Sequence, residues 1–223
     1  MRTKQIILVI ASLAVLWLSL VIVNANVMEA TKTLFTGAFG SPAAITGTLK
    51  ETTPLLFLGA AVYIALKAGL FNIGAEGQYT VGACVGAIIM LKVGGAAGVL
   101  LGAVMGGLAG ALWACPAGLI KAYRNGHEVI SSIMLNAIAY FLTKALVAGP
   151  FKGSDQLTPS TSPLPDGSKL TPLANIGGVE IPQSFVLGVL VIIVASYWLN
   201  RTTSGYELKA SGANPRAAEF AGI

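Results

Sequence analysis

The chain has 223 residues, a formal net charge of +5, 55% hydrophobic residues and only 10% charged ones. Soluble domains carry about 25% charged residues, and the mean hydropathy here is +0.77. A soluble enzyme, a coiled coil and a disordered chain are therefore excluded, and the composition is that of an all-α, polytopic membrane protein. The positive charge belongs to Lys and Arg at membrane edges and does not call for nucleic acid.

Uncharged stretches set the expected spans, since roughly 30 Å of hydrocarbon needs about 20 apolar residues. Six spans are predicted, at about 6–24, 53–70, 77–92, 94–120, 128–148 and 182–200. The second, third and fifth reach full length if Lys67, Lys92 and Lys144 extend their ammonium groups to the interface. The first span has an alternative as a signal peptide, with Arg2 and Lys4 as its charged start. Its apolar run is long for that role and Val23-Asn24-Ala25 is a poor cleavage site, so an uncleaved span is favoured.

Lys and Arg orient the chain. With the N-terminus in the cytoplasm, Arg2, Lys4, Lys67, Lys121, Arg124, Arg201, Lys209 and Arg216 lie inside. The short loop 121–128 is dense in basic residues and the long segment 149–181 is sparse. That segment is rich in Pro, Gly, Ser and Thr, and reads as an external loop of turns.

The segment 69–78 sets Gly69, Gly74 and Gly77 among Asn72, Glu76 and Gln78. Glycine loosens the backbone, and the polar side chains are able to satisfy the groups it frees. A carboxylate near membrane depth is costly, so Glu76 is a functional candidate. The competing reading is structural: Asn72 and Glu76 cap the third span.

In the fourth span Gly94, Gly98, Gly102, Gly106, Gly110, Ala114 and Gly118 recur every four residues. A step of four drifts about 40° on a helix, so the small stripe wraps around it and admits more than one close neighbour. Gly98, Gly102, Gly106 and Gly110 are the expected packing positions. In the fifth span Ser132 and Asn136 share one face. They either bond across to other helices or line a polar path. Cys84 and Cys115 read as small core residues, and a single histidine, His127, makes no metal cluster.

At the C-terminal end Asn214, Pro215 and Gly222 read as N-cap, first helical residue and terminator of a short helix. A helix that short is unstable alone in water. It needs a surface, and Phe220 offers an apolar contact. The residues 205–212 form the approach to it. No catalytic set, P-loop or nucleotide-binding glycine fingerprint occurs.

Three blocks in order, 69–78, 127–136 and 205–223, resemble the permease subunits of bacterial ABC importers. The similarity is to the nucleoside type, kin to the simple-sugar and branched-chain amino acid permeases. The external loop, with Gly149-Pro150 and Pro163-Leu164-Pro165, resembles that of the longer permease of nucleoside systems. The resemblance implies import of nucleosides across the cytoplasmic membrane, with simple sugars or branched-chain amino acids as alternatives. It implies a cytoplasmic ATPase that binds the ATP, a second permease forming a heterodimer, and an external solute-binding lipoprotein. The chain itself has no cofactor, no metal and no catalytic residue. Asn72, Glu76, Gln78, Ser132 and Asn136 become candidates for the solute path. The segment 201–223 becomes the coupling element, through Gly205, Glu207, Gly212, Asn214, Pro215, Ala217 and Ala218. Permeases of this type continue with further spans, so 1–223 is expected to be the front part of one. A secondary transporter or a membrane scaffold is the reading from outside this class.

Overall fold

The computed structural model describes residues 2–124, 126–154 and 158–223. The side chains of Arg2 and Lys4, expected on the cytoplasmic side, lie outside what is described. Helix α1 (Arg2–Ile22) is predominantly apolar from Ile6 onward, and Asn24, with a positive φ of 56°, lies in the turn that follows it. Two helices that the hydropathy pattern does not separate follow. Asn26 caps α2 (Val27–Phe39) by accepting from the Glu29 N–H at 3.1 Å. Ser41 caps α3 (Pro42–Lys67) by accepting from the Ala44 N–H at 3.1 Å, with Pro42 in the first turn. The span expected at 53–70 thus starts eleven residues earlier, at 42, and runs on through Pro54. Charge at Lys50 and Glu51 hides this start from a hydropathy reading, whereas the Ser-Pro cap marks it.

Helices α4 (Ala75–Val93), α5 (Gly95–Arg124) and α6 (Glu128–Ala148) match the next three predicted spans to within a few residues. Helix α7 (Gln183–Arg201) matches the last. Helices α3, α5, α6 and α7 are long and apolar enough to cross a membrane. Helix α4 carries polar groups at both ends, opening on Glu76 and Gln78 and closing on Lys92.

The segment expected to hold only turns contains an antiparallel hairpin, β1 (Pro172–Ile176) and β2 (Val179–Pro182). Its two-residue turn, Gly177-Gly178, has φ of 60° and 86°. Such a turn matches strand twist but demands positive φ at both positions, so two glycines suit it. Asn175 Oδ1 accepts from the Gly178 N–H at 3.0 Å, and the Glu180 N–H donates to Thr46 Oγ1 at 2.9 Å, pinning the hairpin to α3. This hairpin is the departure from an otherwise helical bundle among the described residues.

The glycine ladder of α5 packs mainly on one helix. Built Cβ atoms on Gly98, Gly102, Gly106 and Gly110 would meet Met90 Cα at 3.5 Å, Gly86 O at 2.9 Å, Gly82 O at 2.6 Å and Gln78 O at 2.9 Å. Both helices advance by four residues, in opposite directions, so the i±4 ridges interlock and the backbones touch. Helix α4 follows the drift of the stripe, so the backbone contacts of the ladder fall on this helix. Gly94, with φ of 70°, lies in the turn before α5, and the second neighbour, α6, is met through Trp113, whose Nε1 donates to Leu135 O at 3.3 Å.

Among the described residues few apolar side chains are buried: Ala75, Val81, Ala139, Leu199 and Ala218. Large ones such as Leu112, Phe141 and Ile193 stand exposed on the outer surface. An apolar exterior over a small-residue interior is what a lipid solvent selects.

Candidate functional site

The turn from α3 to α4 gathers the polar side chains of Asn72 and Gln78 between packed helices. Helix α3 ends in a Schellman motif: the Gly69 N–H donates to Leu66 O at 3.2 Å and the Leu70 N–H to Ala65 O at 2.9 Å. Gly69 has φ of 74°, as this motif requires. Asn72 then folds back, its Oδ1 accepting from the Gly74 N–H at 2.9 Å and from Gln78 Nε2 at 3.3 Å.

The cap of α4 comes from another helix. Asn136 Oδ1, on α6, accepts from the Gly77 N–H at 2.9 Å, while its Nδ2 donates to Ile73 O at 2.9 Å. One amide thereby satisfies a donor and an acceptor freed at a helix start. The contact needs Gly77, where a Cβ would lie 2.7 Å from Asn136 Oδ1. Ser132, one turn earlier, is 2% exposed and sits against Gly74, but its hydroxyl donates back to Val129 O at 3.1 Å. Of the two readings for this face of α6, Asn136 follows the cross-helix one. Glu76 does not cap α4: its side chain is exposed and forms no ion pair among the described residues.

Two cavities meet at this turn. One, of about 200 Å³, is lined by Phe71, Asn72, Gln78 and Ser132, and by Ala114, Ala117 and Gly118 of α5. The last positions of the small-residue stripe therefore make room for a cavity instead of a helix contact. Lys121 and Glu128 also line it and form an ion pair at 3.0 Å, which the sequence reading missed. The second, of about 320 Å³, is lined by Leu58, Val62, Phe71, Asn72 and Glu76. Asn72 stands between the two, with Gln78 facing the first and Glu76 the second.

The C-terminal block is attached to the same turn. Thr202 joins α7 to α8 (Thr203–Ala213), donating to Trp198 O at 2.6 Å and accepting from the Gly205 N–H at 3.1 Å. The approach expected over 205–212 is thus itself helical. Gly205 is buried, and a side chain there would run into Trp198 O and Leu199. At the far end of α8 Gly212 presses on the α3 terminus: its Cβ would overlap Lys67 O and lie 2.7 Å from Gly69 N. Asn214 then caps α9 (Pro215–Phe220), accepting from the Ala217 N–H at 3.1 Å. Helix α9 closes on Gly222, with φ of 77° and the Ile223 N–H donating to Ala218 O at 3.0 Å. Ala218 is buried while Phe220 is 94% exposed. Glu207, Asn214, Pro215 and Ala217 are exposed as well.

Residues 44–223 match the family model described as branched-chain amino acid transport system / permease component. The chain belongs to this permease family. It is 34% identical, over 98% of its own length, to the glucose ABC transporter permease protein TsgB13 of Haloferax volcanii, of which it covers 60%. It is 29% identical, over 98% of its length, to the guanosine ABC transporter permease protein NupP of Bacillus subtilis, covering 63% of it. Over 85% of its length it is 29% identical to the nucleoside ABC transporter permease protein NupB of Lactococcus lactis, covering 55%. The chain thus spans about 60% of the length of these relatives. No solved structure matches it. As a member of this permease family with several helices apolar and long enough to cross a membrane, the chain is a multi-pass membrane protein.

Proposed function

We propose that this permease is a membrane-spanning subunit of an ATP-driven importer that carries nucleosides across the cytoplasmic membrane. Its N-terminus and its segment 201–223 face the cytoplasm. ATP is bound and hydrolysed by a separate ATPase seated on α8 and α9. A second, similar permease completes the pore as a heterodimer, and an external binding lipoprotein delivers the solute. Asn72, Glu76, Gln78 and Ser132 offer polar groups to the solute, while Asn136 holds the turn that carries them.

The observation that carries this reading is the backbone contact between Gly212 and the α3–α4 turn. It gives the exposed C-terminal helices a rigid route to the two cavities. The nucleoside and guanosine names of two relatives support the solute. A simple sugar is the second reading, favoured by the glucose name of the 34% identical relative.

Uptake by membrane vesicles containing the assembled transporter tests the proposal. Labelled guanosine and glucose are supplied with the binding protein, and energy is withdrawn in two ways. Guanosine uptake is expected to stop when ATP is depleted and to persist when a protonophore collapses the proton gradient. Uptake that follows the proton gradient instead would overturn the ATP-driven reading. Uptake of glucose alone would shift the solute to the sugar reading.

A further inference from the structure

Resting on the transport reading above, we propose that the groove between α4 and α6 is the outer leg of the solute path, built for a neutral, hydroxyl-rich ring compound. The groove measures about 540 Å³ and is lined by Thr80 and Cys84 of α4, Tyr140, Thr143 and Lys144 of α6, and Thr161 of the external segment. Ala87, Ile88, Val147 and Pro159 complete a mostly apolar lining in which these polar groups are set. Polar side chains along membrane helices are costly against hydrocarbon and are kept where water, solute or protein meets them.

The chemistry suits a polyhydroxylated ring. Lys144 meets no carboxylate among the described residues, and its ammonium lies 5.8 Å from the centre of the Tyr140 ring. It supplies hydrogen-bond donors. The hydroxyls of Thr80 and Thr143 donate to their own helix, to Glu76 O at 2.8 Å and Ala139 O at 2.8 Å, which leaves their oxygens as acceptors. A solute hydroxyl both donates and accepts, so it answers both sets. Tyr140, 57% exposed, adds a flat face on which a ring packs. The groove also runs toward the candidate site: Glu76, Thr80 and Cys84 follow one another at four-residue steps on α4, and Glu76 lines the cavity next to Asn72.

Cys84 is a native reporter of this groove. With Cys115→Ser leaving it as the single thiol of residues 1–223, a membrane-impermeant methanethiosulfonate is added outside vesicles that hold the assembled transporter, and labelling is read at Cys84 by peptide mass. Modification of Cys84 is expected, because the reagent needs water at the thiol. Guanosine or glucose well above its Kd is expected to slow the reaction at least about threefold. Tyr140→Ala is expected to abolish that protection and Tyr140→Phe to keep it. Absence of modification would mean that lipid or a second permease covers the groove, and would overturn the proposal. Uptake measured in the same vesicles separates the two readings. ATP-driven uptake of a solute that does not protect Cys84 overturns the groove and leaves the transport reading standing. Failure of ATP-driven uptake for both solutes overturns the transport reading itself.

Discussion

Gly69 and Gly212 touch through their backbones, with the space for a Cβ on Gly69 lying 2.8 Å from Gly212 O. The two residues come from blocks far apart in the chain. One ends α3 at the turn carrying Asn72, and the other ends α8 just before the exposed α9. The contact excludes any side chain on either partner, so a movement of α8 acts directly on the turn. Packed backbones move together, whereas long side chains absorb small displacements by changing rotamer.

The first consequence concerns Gly69 itself. Its φ of 74° is left-handed, which costs a residue with a Cβ about 1–2 kcal/mol, before any clash with Gly212. Gly69→Ala is expected to lower the melting temperature of the purified permease by several degrees. An unchanged melting temperature would contradict the Schellman geometry assigned here.

Asn136 provides a second test. Its amide joins α6 to Ile73 O and the Gly77 N–H. Asn136→Ala strands both groups and is expected to cost about 1–3 kcal/mol for each that stays buried without a partner. Asn136→Asp keeps an acceptor for Gly77 but loses the donor to Ile73, so its loss should be intermediate. Thermal unfolding in detergent ranks the three proteins. Equal stability of the Ala and Asp variants would argue against the two-bond clamp.

The glycine ladder makes a contrast within one helix. Gly106 has Gly82 O against it, while Gly107 faces open space. Gly106→Leu forces α4 and α5 apart, with an overpacking cost of about 1–3 kcal/mol or more. Gly107→Leu adds an apolar side chain to the exposed face and is expected to be neutral. Comparable losses of folded protein for both variants would refute the ladder register.

Helix α9 allows the proposed ATPase docking to be tested apart from folding. Phe220 is 94% exposed, so Phe220→Ala is expected to change stability by no more than about 0.5 kcal/mol. It should weaken co-purification of the ATPase. Ala218, in contrast, is buried, and Ala218→Arg should disturb the fold itself. A Phe220→Ala permease that retains its ATPase fully would remove α9 from the docking surface.

The long apolar helices were legible because hydropathy follows directly from composition. The capped α9 was legible because Asn, Pro and Gly act locally. What escaped the reading was non-local or masked. The real cap of α4 is supplied by Asn136, far along the chain. The start of α3 was hidden by Lys50 and Glu51, although Ser41-Pro42 announced it. The Gly177-Gly178 turn between Ile176 and Val179 was a readable hairpin signal lost within a Pro-rich segment. Gly82 and Gly86 already marked α4 as the partner of the ladder, by the same four-residue step. The contact of Gly69 with Gly212 required the fold.

The most direct test of the account is an uncoupling experiment at Gly212. Gly212→Leu is compared with Ala213→Leu, whose neighbouring position is exposed, in vesicles with the complete transporter. The ATPase is expected to remain bound in both. Guanosine uptake is expected to fall at least about tenfold in Gly212→Leu, equivalent to about 1.4 kcal/mol on the barrier, and to stay near wild type in Ala213→Leu. Wild-type uptake in a correctly inserted Gly212→Leu permease would contradict the claim that α8 drives the cavities through its contact with the α3–α4 turn.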